Sequence, residues 1–441
     1  MKKERFTKLS YSLSGAGKEI SYGLTSSYLM YFYTEMFGIS VIAAGTLFLV
    51  ARIWDAINDP LMGVIMEKTN SKRGKVKPYV LLSSIAVFVF TVLAFLAPDV
   101  KNKLLYAYIT YIGWGMSFTV LAIANTSAAS LMTRDDSKRT SLITWHRLGT
   151  LIGNTLPLIA VIPVVQAFGG GLTGFRSMGI LFGVIGLVLC IQFYFFFNEN
   201  VTERKVESHE SLKRDKKSIT KNIPLFIIFA SAFLGLLKGL VGAVAIYFCK
   251  YTLGSESYMV PLSMAGLVGT ILSALSIKFW LKFIDKRQIL IWTNVIAGLM
   301  GLFAYYFIPY TNVNVIIVYT FFSQYFQAFG LILFFAMIAD TIDYGEWKYG
   351  TRYEAFTYSF FTFVSKMRGA LSQWLLGIML AYYGYISGVE QVATLGGDIY
   401  KIITIYPAIG AFLAAIPMLF YPINRKLRQE IQKDLELREV S

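Results

Sequence analysis

Apolar runs long enough to cross a bilayer alternate with short polar stretches along almost the whole chain. A spanning helix needs about 20 mostly apolar residues. Twelve runs meet that length, roughly 9–35, 40–67, 77–97, 103–132, 141–167, 175–198, 223–252, 257–283, 288–309, 313–343, 353–385 and 401–424. The first, fourth, tenth and eleventh are less apolar than lipid-facing helices. They hold Lys18, Glu19, Thr119, Asn125, Gln324, Gln327, Asp340, Asp343, Lys366, Arg368 and Gln373. These four are expected to face the interior, where polar groups find partners. One long hydrophilic stretch, 199–222, interrupts the pattern near its midpoint and leaves six runs on each side. The expected fold is all-α, a polytopic membrane protein with twelve transmembrane helices in two six-helix halves. The halves are 1–198 and 223–424, with a cytoplasmic linker at 199–222 and a cytoplasmic tail at 425–441. The tail is expected to be a solvated helix or a frayed end. No strong sequence repeat relates the halves, so the duplication rests on spacing.

The loops set the orientation. Lys and Arg crowd the N-terminus (Lys2, Lys3, Arg5, Lys8), EKTNSKRGKVKP, TRDDSKRT, the linker, LKFIDKRQ and the tail. The alternate loops TEMFGIS, FGGGLTGFRS, LGSESY and PYTNVN are poor in them, with APDVKNK a mild exception. Basic loops face the cytoplasm. Both termini are then cytoplasmic, which requires an even number of spans.

Composition narrows the class further. The chain has 441 residues, of which 56% are hydrophobic and 15% charged, against about 25% charged in an ordinary soluble chain. The mean hydropathy of +0.56 over this length indicates a polytopic protein rather than a soluble enzyme with one anchor. The net charge of +15 sits in short loops between apolar runs, which argues against a nucleic-acid partner. Cys190 and Cys249 fall inside apolar runs and read as packing residues; with only His146 and His209 to help, they form no metal cluster. The basic start MKKERFTKLS leads into a segment holding Lys18 and Glu19, unlike a signal-peptide core.

The candidate chemistry centres on Arg52-Ile-Trp-Asp-Ala-Ile-Asn-Asp59 in the second span. Spacings of three and four share a helix face, so Arg52, Asp55, Asn58 and Asp59 form one stripe. An ionised side chain at bilayer depth costs about 2.5–3.5 kcal/mol on insertion scales. A bland reading pairs Arg52 with Asp55 to lock helices together, but it leaves a carboxylate and an amide unexplained. The functional reading is a cation site of hard oxygens, negative charge and one neutral carbonyl.

Other polar positions frame this stripe. Gly15-Ala-Gly-Lys18-Glu19 sets a cation and a carboxylate side by side. Neighbours on a helix point about 100° apart, so these two are not expected to be spent on each other. One of them is expected to point into a cavity. Thr119, Asn125 and Thr126 in the fourth span offer hydroxyl and amide groups. Arg147, beside His146, can reach sugar hydroxyls or a carboxylate, or can serve as a cytoplasmic anchor. Lys366, nine residues past Glu354 and among Phe360, Phe361 and Phe363, demands a counter-charge, for which the second-span carboxylates are candidates. Asp340, Asp343 and Glu346 read as gate salt bridges, a latch rather than a substrate site.

LVARIWDAINDPLMG, RGKVKP, TYIGWGMSFT and ADTIDYGEWKYGTR, with Lys366 following, resemble the glycoside–pentoside–hexuronide:cation symporters of the major facilitator superfamily. The resemblance runs from about Lys8 to the end of the twelfth span. It implies that Asp55 and Asp59 bind Na+, Li+ or H+, with Asn58 and Thr119 as supporting ligands and Lys366 beside them. It implies that Lys18, Glu19 and Arg147 hold the sugar, with Thr362 as a lesser contact. Thr126 and Ala122 stand where a galactoside-binding member has a sugar-stacking Trp and an acid. The coupling residues are kept and the sugar pocket is changed.

The expected function is alternating-access symport of a glycoside, oligosaccharide or hexuronide with Na+ or H+, in a bacterial plasma membrane. No enzyme activity and no cofactor beyond the coupling cation are expected. The partners are a sugar, a monovalent cation and the bilayer. Asn58 favours Na+, since a neutral carbonyl oxygen helps a metal ion and does nothing for a proton. The alternatives are proton-coupled movement of a non-sugar organic anion and a non-transporting membrane sensor. The tail is too short to be a signalling domain.

Overall fold

The computed structural model describes residues 2–69, 71, 74, 76–133, 135–197, 199, 221–350, 354–389, 391–392 and 394–440. Residues 200–220 of the expected linker, with His209, lie outside them, as do parts of the basic loop at 70–75 and Thr351 and Arg352 of the second motif. Among the described residues the regular structure is entirely helical. The helices are α1 (Lys2–Tyr31), α2 (Val41–Lys68), α3 (Lys77–Ala94), α4 (Lys103–Met132), α5 (Asp136–Ala167), α6 (Gly171–Phe196) and α7 (Ile223–Leu234). They continue with α8 (Leu240–Tyr247), α9 (Met259–Phe283), α10 (Lys286–Phe307), α11 (Val313–Tyr349), α12 (Glu354–Tyr382), α13 (Leu395–Met418) and α14 (Arg425–Val440).

Local chemistry marks the helix starts. Ser40, Asn102, Asp135, Asn222 and Asn312 each accept a first-turn backbone N–H with the side-chain oxygen, capping α2, α4, α5, α7 and α11. Asp285 and Gln288 close a capping box on α10. Gly350, in the left-handed region at φ 69°, ends α11.

Among the described residues, ten segments are long and apolar enough to cross a membrane. The long helices outside that set are α1 and α12, two of the four singled out as too polar for lipid. The run at 223–252, expected as one helix, is broken. A 3-10 turn at Gly235–Gly239 separates α7 from α8, and a π turn at Phe248–Thr252 follows. The break frees backbone carbonyls, and Ser372 answers one by donating to the Leu236 oxygen at 2.6 Å.

The chain divides into two compact units, Met1–Val206 with Gly377–Val392, and Glu207–Leu376 with Ala393–Ser441. In the first, α1 lies tightly against α5. A Cβ at Gly149 would overlap the Ser12 carbonyl, and one at Gly153 the Ala16 carbonyl. Only glycine permits that approach. Buried polar groups tie the unit together: Trp114 Nε1 donates to Ser21 Oγ at 2.8 Å, and Ser14 Oγ to Asn125 Oδ1 at 2.8 Å. Glu199 accepts the Val76 and Lys77 N–H groups at the start of α3, both at 2.8 Å. The segment after α12 joins this unit, where the Tyr385 hydroxyl donates to Glu35.

In the second unit an apolar core runs from Leu225 and Ile228 on α7 to Met337 and Ile338 on α11 and Ile431 on α14. The tail, expected as a solvated helix or a frayed end, is a largely exposed helix that docks along one side. Ile431 on α14 is 1% exposed, and Trp347 Nε1 donates to Asp434 at 2.8 Å. The amphipathic pattern of the tail buries its apolar side against its own unit.

Gly149→Ala is expected to lower the thermal unfolding midpoint by an overpacking cost of about 1–3 kcal/mol. Gly63→Ala, where an added Cβ meets open space, is expected to leave it unchanged or raised. Heating the purified variants in detergent checks both.

Candidate cation and sugar site

The stripe on α2 is assembled within the first unit. Arg52 Nη1 lies 2.8 Å from Asp55 Oδ2, one turn on along the same helix. Both members belong to α2, and the Arg52 guanidinium also lies within reach of Tyr111 on α4. Asp55 is 5% exposed. Across from it stands Gly115 of α4, where a Cβ would come 3.2 Å from Asp55 Oδ1. One turn further along α4, Thr119 Oγ1 donates to Asp59 Oδ1 at 2.8 Å.

Asn58 lies between the carboxylates in sequence and is 1% exposed, and its Nδ2 has no hydrogen-bond partner among the described residues. Burying such a group unpaired costs about 1–3 kcal/mol. The oxygen and nitrogen of an amide exchange places by a half-turn of the side chain. A cation at that position would draw the oxygen toward it. The donor set fits a monovalent cation: carboxylate, hydroxyl and amide oxygens, with the stripe's own charges summing to minus one.

Lys18 and Glu19 correct one expectation. Lys18 Nζ lies 2.7 Å from Glu19 Oε1, so the two are spent on each other. Their Cβ atoms do point apart, but both side chains are long enough to curl back and meet. Lys18 Nζ also stands 5.3 Å from the centre of the Phe118 ring, a cation–π distance. Asn154 Nδ2 makes a long 3.5 Å contact with Glu19 Oε2. Phe118 packs on Trp114 with ring centres 5.2 Å apart and on Tyr22 at 5.5 Å. Tyr22 in turn lies within electrostatic reach of the Arg52 guanidinium. Sequence reasoning missed Tyr22, Phe118 and Asn154. An aromatic four residues before Ala122 on the same helix face was the available signal for Phe118.

α4 thus serves both groups with adjacent stripes. Gly115 and Thr119 face the carboxylates of α2. Trp114 and Phe118, one residue earlier in each case, face Ser21 and Lys18 of α1. Ala122 and Thr126 continue the Phe118 stripe at intervals of four. Thr126 is exposed, and its hydroxyl donates to the Ala122 carbonyl at 2.9 Å.

Arg147 is exposed on α5. It precedes Asn154 by seven residues, about two turns or roughly 10 Å along the same face, so it stands apart from the Lys18–Glu19 pair. Its neighbour His146 is buried, with Nδ1 3.1 Å from the Tyr11 carbonyl and its ring stacked on Tyr11 at 4.2 Å. Asn125 is consumed structurally, taking bonds from Ser14 and from the Tyr11 hydroxyl. Cys190 and Cys249 are both buried free thiols.

In the second unit, Thr362 and Lys366 share a face of α12 at an interval of four. Thr362 is exposed and donates to the Tyr358 carbonyl at 2.9 Å, while Lys366 is half-buried. Asp340 lies 2.7 Å from Lys286 Nζ and 3.7 Å from Arg428, which ties α11 to α10 and α14 inside that unit. Asp343 and Glu346 follow Asp340 on α11, and both are half-buried. Lys238, which sequence reasoning passed over, sits on the 3-10 break and donates to Asn294 Oδ1 at 2.8 Å.

A family model described as MFS/sugar transport protein matches residues 10–425. The chain belongs to this family of major facilitator sugar transporters; it is a multi-pass membrane transport protein and not an enzyme. It is 32% identical to the isoprimeverose transporter of Lactiplantibacillus pentosus, covering 98% of this chain and 91% of that one. It is 26% identical to the glucuronide carrier protein homolog of Escherichia coli (strain K12), covering 98% and 96%. Its fold is similar to the crystal structure of a D-xylose-proton symporter, with a TM-score of 0.65 at 14% identity over 95% of this chain and 98% of that one.

Arg52→Gln is expected to take the paired cation away from buried Asp55 and to destabilise the protein by about 3–5 kcal/mol. The double variant Arg52→Gln/Asp55→Asn should recover much of that loss. Thermal unfolding of the two variants, compared as a cycle, measures it.

Proposed function

We propose that this transporter is a cation-coupled symporter of a glycoside, oligosaccharide or hexuronide, with Na+ as the favoured cation and H+ as the alternative. The observation that carries the reading is the α2 stripe. Asp55 pairs with Arg52, Asp59 reaches Thr119 on α4, and the buried Asn58 amide nitrogen has no partner among the described residues. Carboxylates that close resist being ionised together, and a bound cation relieves that cost. Asp55, Asn58, Asp59 and Thr119 take the cation. Glu19, Lys18 and Asn154 offer hydrogen bonds to sugar hydroxyls, and Phe118 with Tyr22 gives an apolar wall. Arg147, Thr126 and Thr362 remain substrate contacts of the proposal, and Lys366 remains the coupling residue of the second half.

Coupling runs through α4, whose neighbouring stripes touch both groups. A cation that fixes Asp59 against Thr119 also fixes the Phe118 stripe one residue away, so each ligand favours the state the other binds. Such coupling is reciprocal by thermodynamic necessity. The six-helix halves, 1–198 and 223–424, alternate access by rocking, and Asp340, Asp343 and Glu346 act as gate or latch acids. The membrane is the bacterial cell membrane, with both termini in the cytoplasm. Relatives described as an isoprimeverose transporter and a glucuronide carrier homolog support a glycoside or hexuronide.

The test is sugar-dependent cation uptake into proteoliposomes, with a panel of glycosides and hexuronides and either Na+ or H+ as the only gradient. One sugar should drive cation entry, and Asp59→Cys should abolish that coupling while sugar exchange persists. If no sugar moves any cation, or Asp59→Cys behaves as wild type, the stripe is structural and the symport reading fails. Asn58→Leu separates the cations. It should cut Na+-driven uptake by roughly tenfold, the value of about one charge-assisted contact of 1.4 kcal/mol, and leave any H+-driven uptake intact. Because its Nδ2 has no partner to lose, its unfolding temperature should hold.

A further inference from the structure

A basic hollow lies in the second unit, among residues that form no part of the α2 stripe. It has a volume of about 590 Å³ and is lined by Arg287, Gln288, Trp292, Asn424, Arg425 and Lys426. It forms where α10 begins and where the chain passes from α13 to α14. The Arg287 guanidinium donates to the Leu419 carbonyl, which holds its planar fork in one orientation. A guanidinium has five N–H donors, so one such bond leaves donors for a second acceptor. Arg425 and Lys426 are both exposed. The carboxylate at the rim, Asp285, is already engaged: it accepts the Lys286 N–H at 2.7 Å and faces Arg428 at 3.7 Å. Three cations therefore surround a space large enough for a small polar group, with their nearest acid turned to other work.

The apolar surroundings say which anion. Trp292 is 59% exposed, Leu419 52% and Phe420 72%. Trp292, in the second turn of α10, itself lines the hollow, and Leu419 and Phe420 directly follow the end of α13; both helices are long and apolar enough to cross a membrane. Water-exposed aromatics next to basic residues at a helix end are the arrangement of a membrane interface, with rings at headgroup depth and cations just outside. An acidic peptide or a free metabolite would gain nothing from that apolar rim, whereas a lipid places acyl chains there.

We propose that this hollow binds the headgroup of an anionic phospholipid. Arg287 supplies bidentate contact to the phosphodiester, Arg425 and Lys426 supply charge, and Trp292 and Phe420 border the acyl chains. This site is separate from cation and sugar binding, and stands or falls independently of the symport reading.

Native mass spectrometry of the full chain from detergent, with added phosphatidylglycerol or phosphatidylcholine, tests it. Wild type should retain phosphatidylglycerol in preference to phosphatidylcholine. Arg425→Gln/Lys426→Gln should retain it roughly twenty-five-fold less, since a basic residue at an anionic surface is worth about fivefold and two are removed. Lys278→Gln/Lys282→Gln removes the same charge from exposed positions on α9 and should match wild type. Equal retention by the Arg425/Lys426 variant, an equal fall in the α9 variant, or no lipid preference in wild type overturns the site. So does displacement of the lipid by millimolar inorganic phosphate or glycerol phosphate, which would make the ligand a free anion. Unfolding temperature, measured alongside, should be the same in all variants without lipid.

Discussion

Charge has nowhere to go inside a hydrocarbon layer except into the protein, and that constraint organises both units. An isolated ionised side chain at bilayer depth costs several kcal/mol, and several buried ones here are answered close by. Arg52 meets Asp55 within its own helix, Lys18 curls onto Glu19, and Lys286 takes Asp340. The same pressure acts on backbone. Arg176 donates to the Leu96 and Ala97 carbonyls where α3 ends, and Ser372 covers a carbonyl freed by the break before α8. Among the described residues a few buried polar atoms are left unpartnered, the hydroxyls of Tyr33, Ser273, Ser387 and Tyr421 and the Asn58 amide nitrogen, and of these the Asn58 nitrogen lies on the α2 stripe.

The helix that makes use of this economy is α4. Its residues at 115 and 119 turn to the acids of α2, and those at 114 and 118 turn to α1. A helix rotates about 100° per residue, so neighbouring positions give neighbouring stripes, and a rigid rod carries both. In the proposed symport no separate relay is then needed between cation and sugar. Movement of α4 that improves one contact set must alter the other. The close glycine-mediated packing of α1 on α5 gives this pair of stripes a firm backing, since Gly149 and Gly153 leave no slack between the helices.

The proposed sugar wall on α4 is uneven along its length. Ala122 and Thr126 present small side chains on the Phe118 stripe, and Thr126 spends its hydroxyl on its own helix. The aromatic surface has not vanished. It lies one turn earlier, at Phe118 and Tyr22, beside the Lys18–Glu19 pair. A pocket walled there is offset along α4 from one walled at 122 and 126, which fits a family whose members are described by different sugars.

Much of this was legible in the chain. The apolar runs located the helices because hydrocarbon length sets helix length. Spacings of three and four put Arg52, Asp55, Asn58 and Asp59 on one face, since helix periodicity is a local property. The polar content of α1 and α12 was equally plain. What the chain alone did not reveal depended on where side chains from different helices meet. Curling of Lys18 onto Glu19, the contact of Thr119 with Asp59, the placing of Phe118 and Asn154, and the docking of Ile431 all follow from interhelical packing. The break in the run at 223–252 is of the same kind: its composition reads as one helix, and only Ser372 from α12 makes the open carbonyl affordable. Local rules determine the helices and their faces. Which faces touch, and which polar group is left without a partner, is decided by the close packing of helices that are distant in the chain.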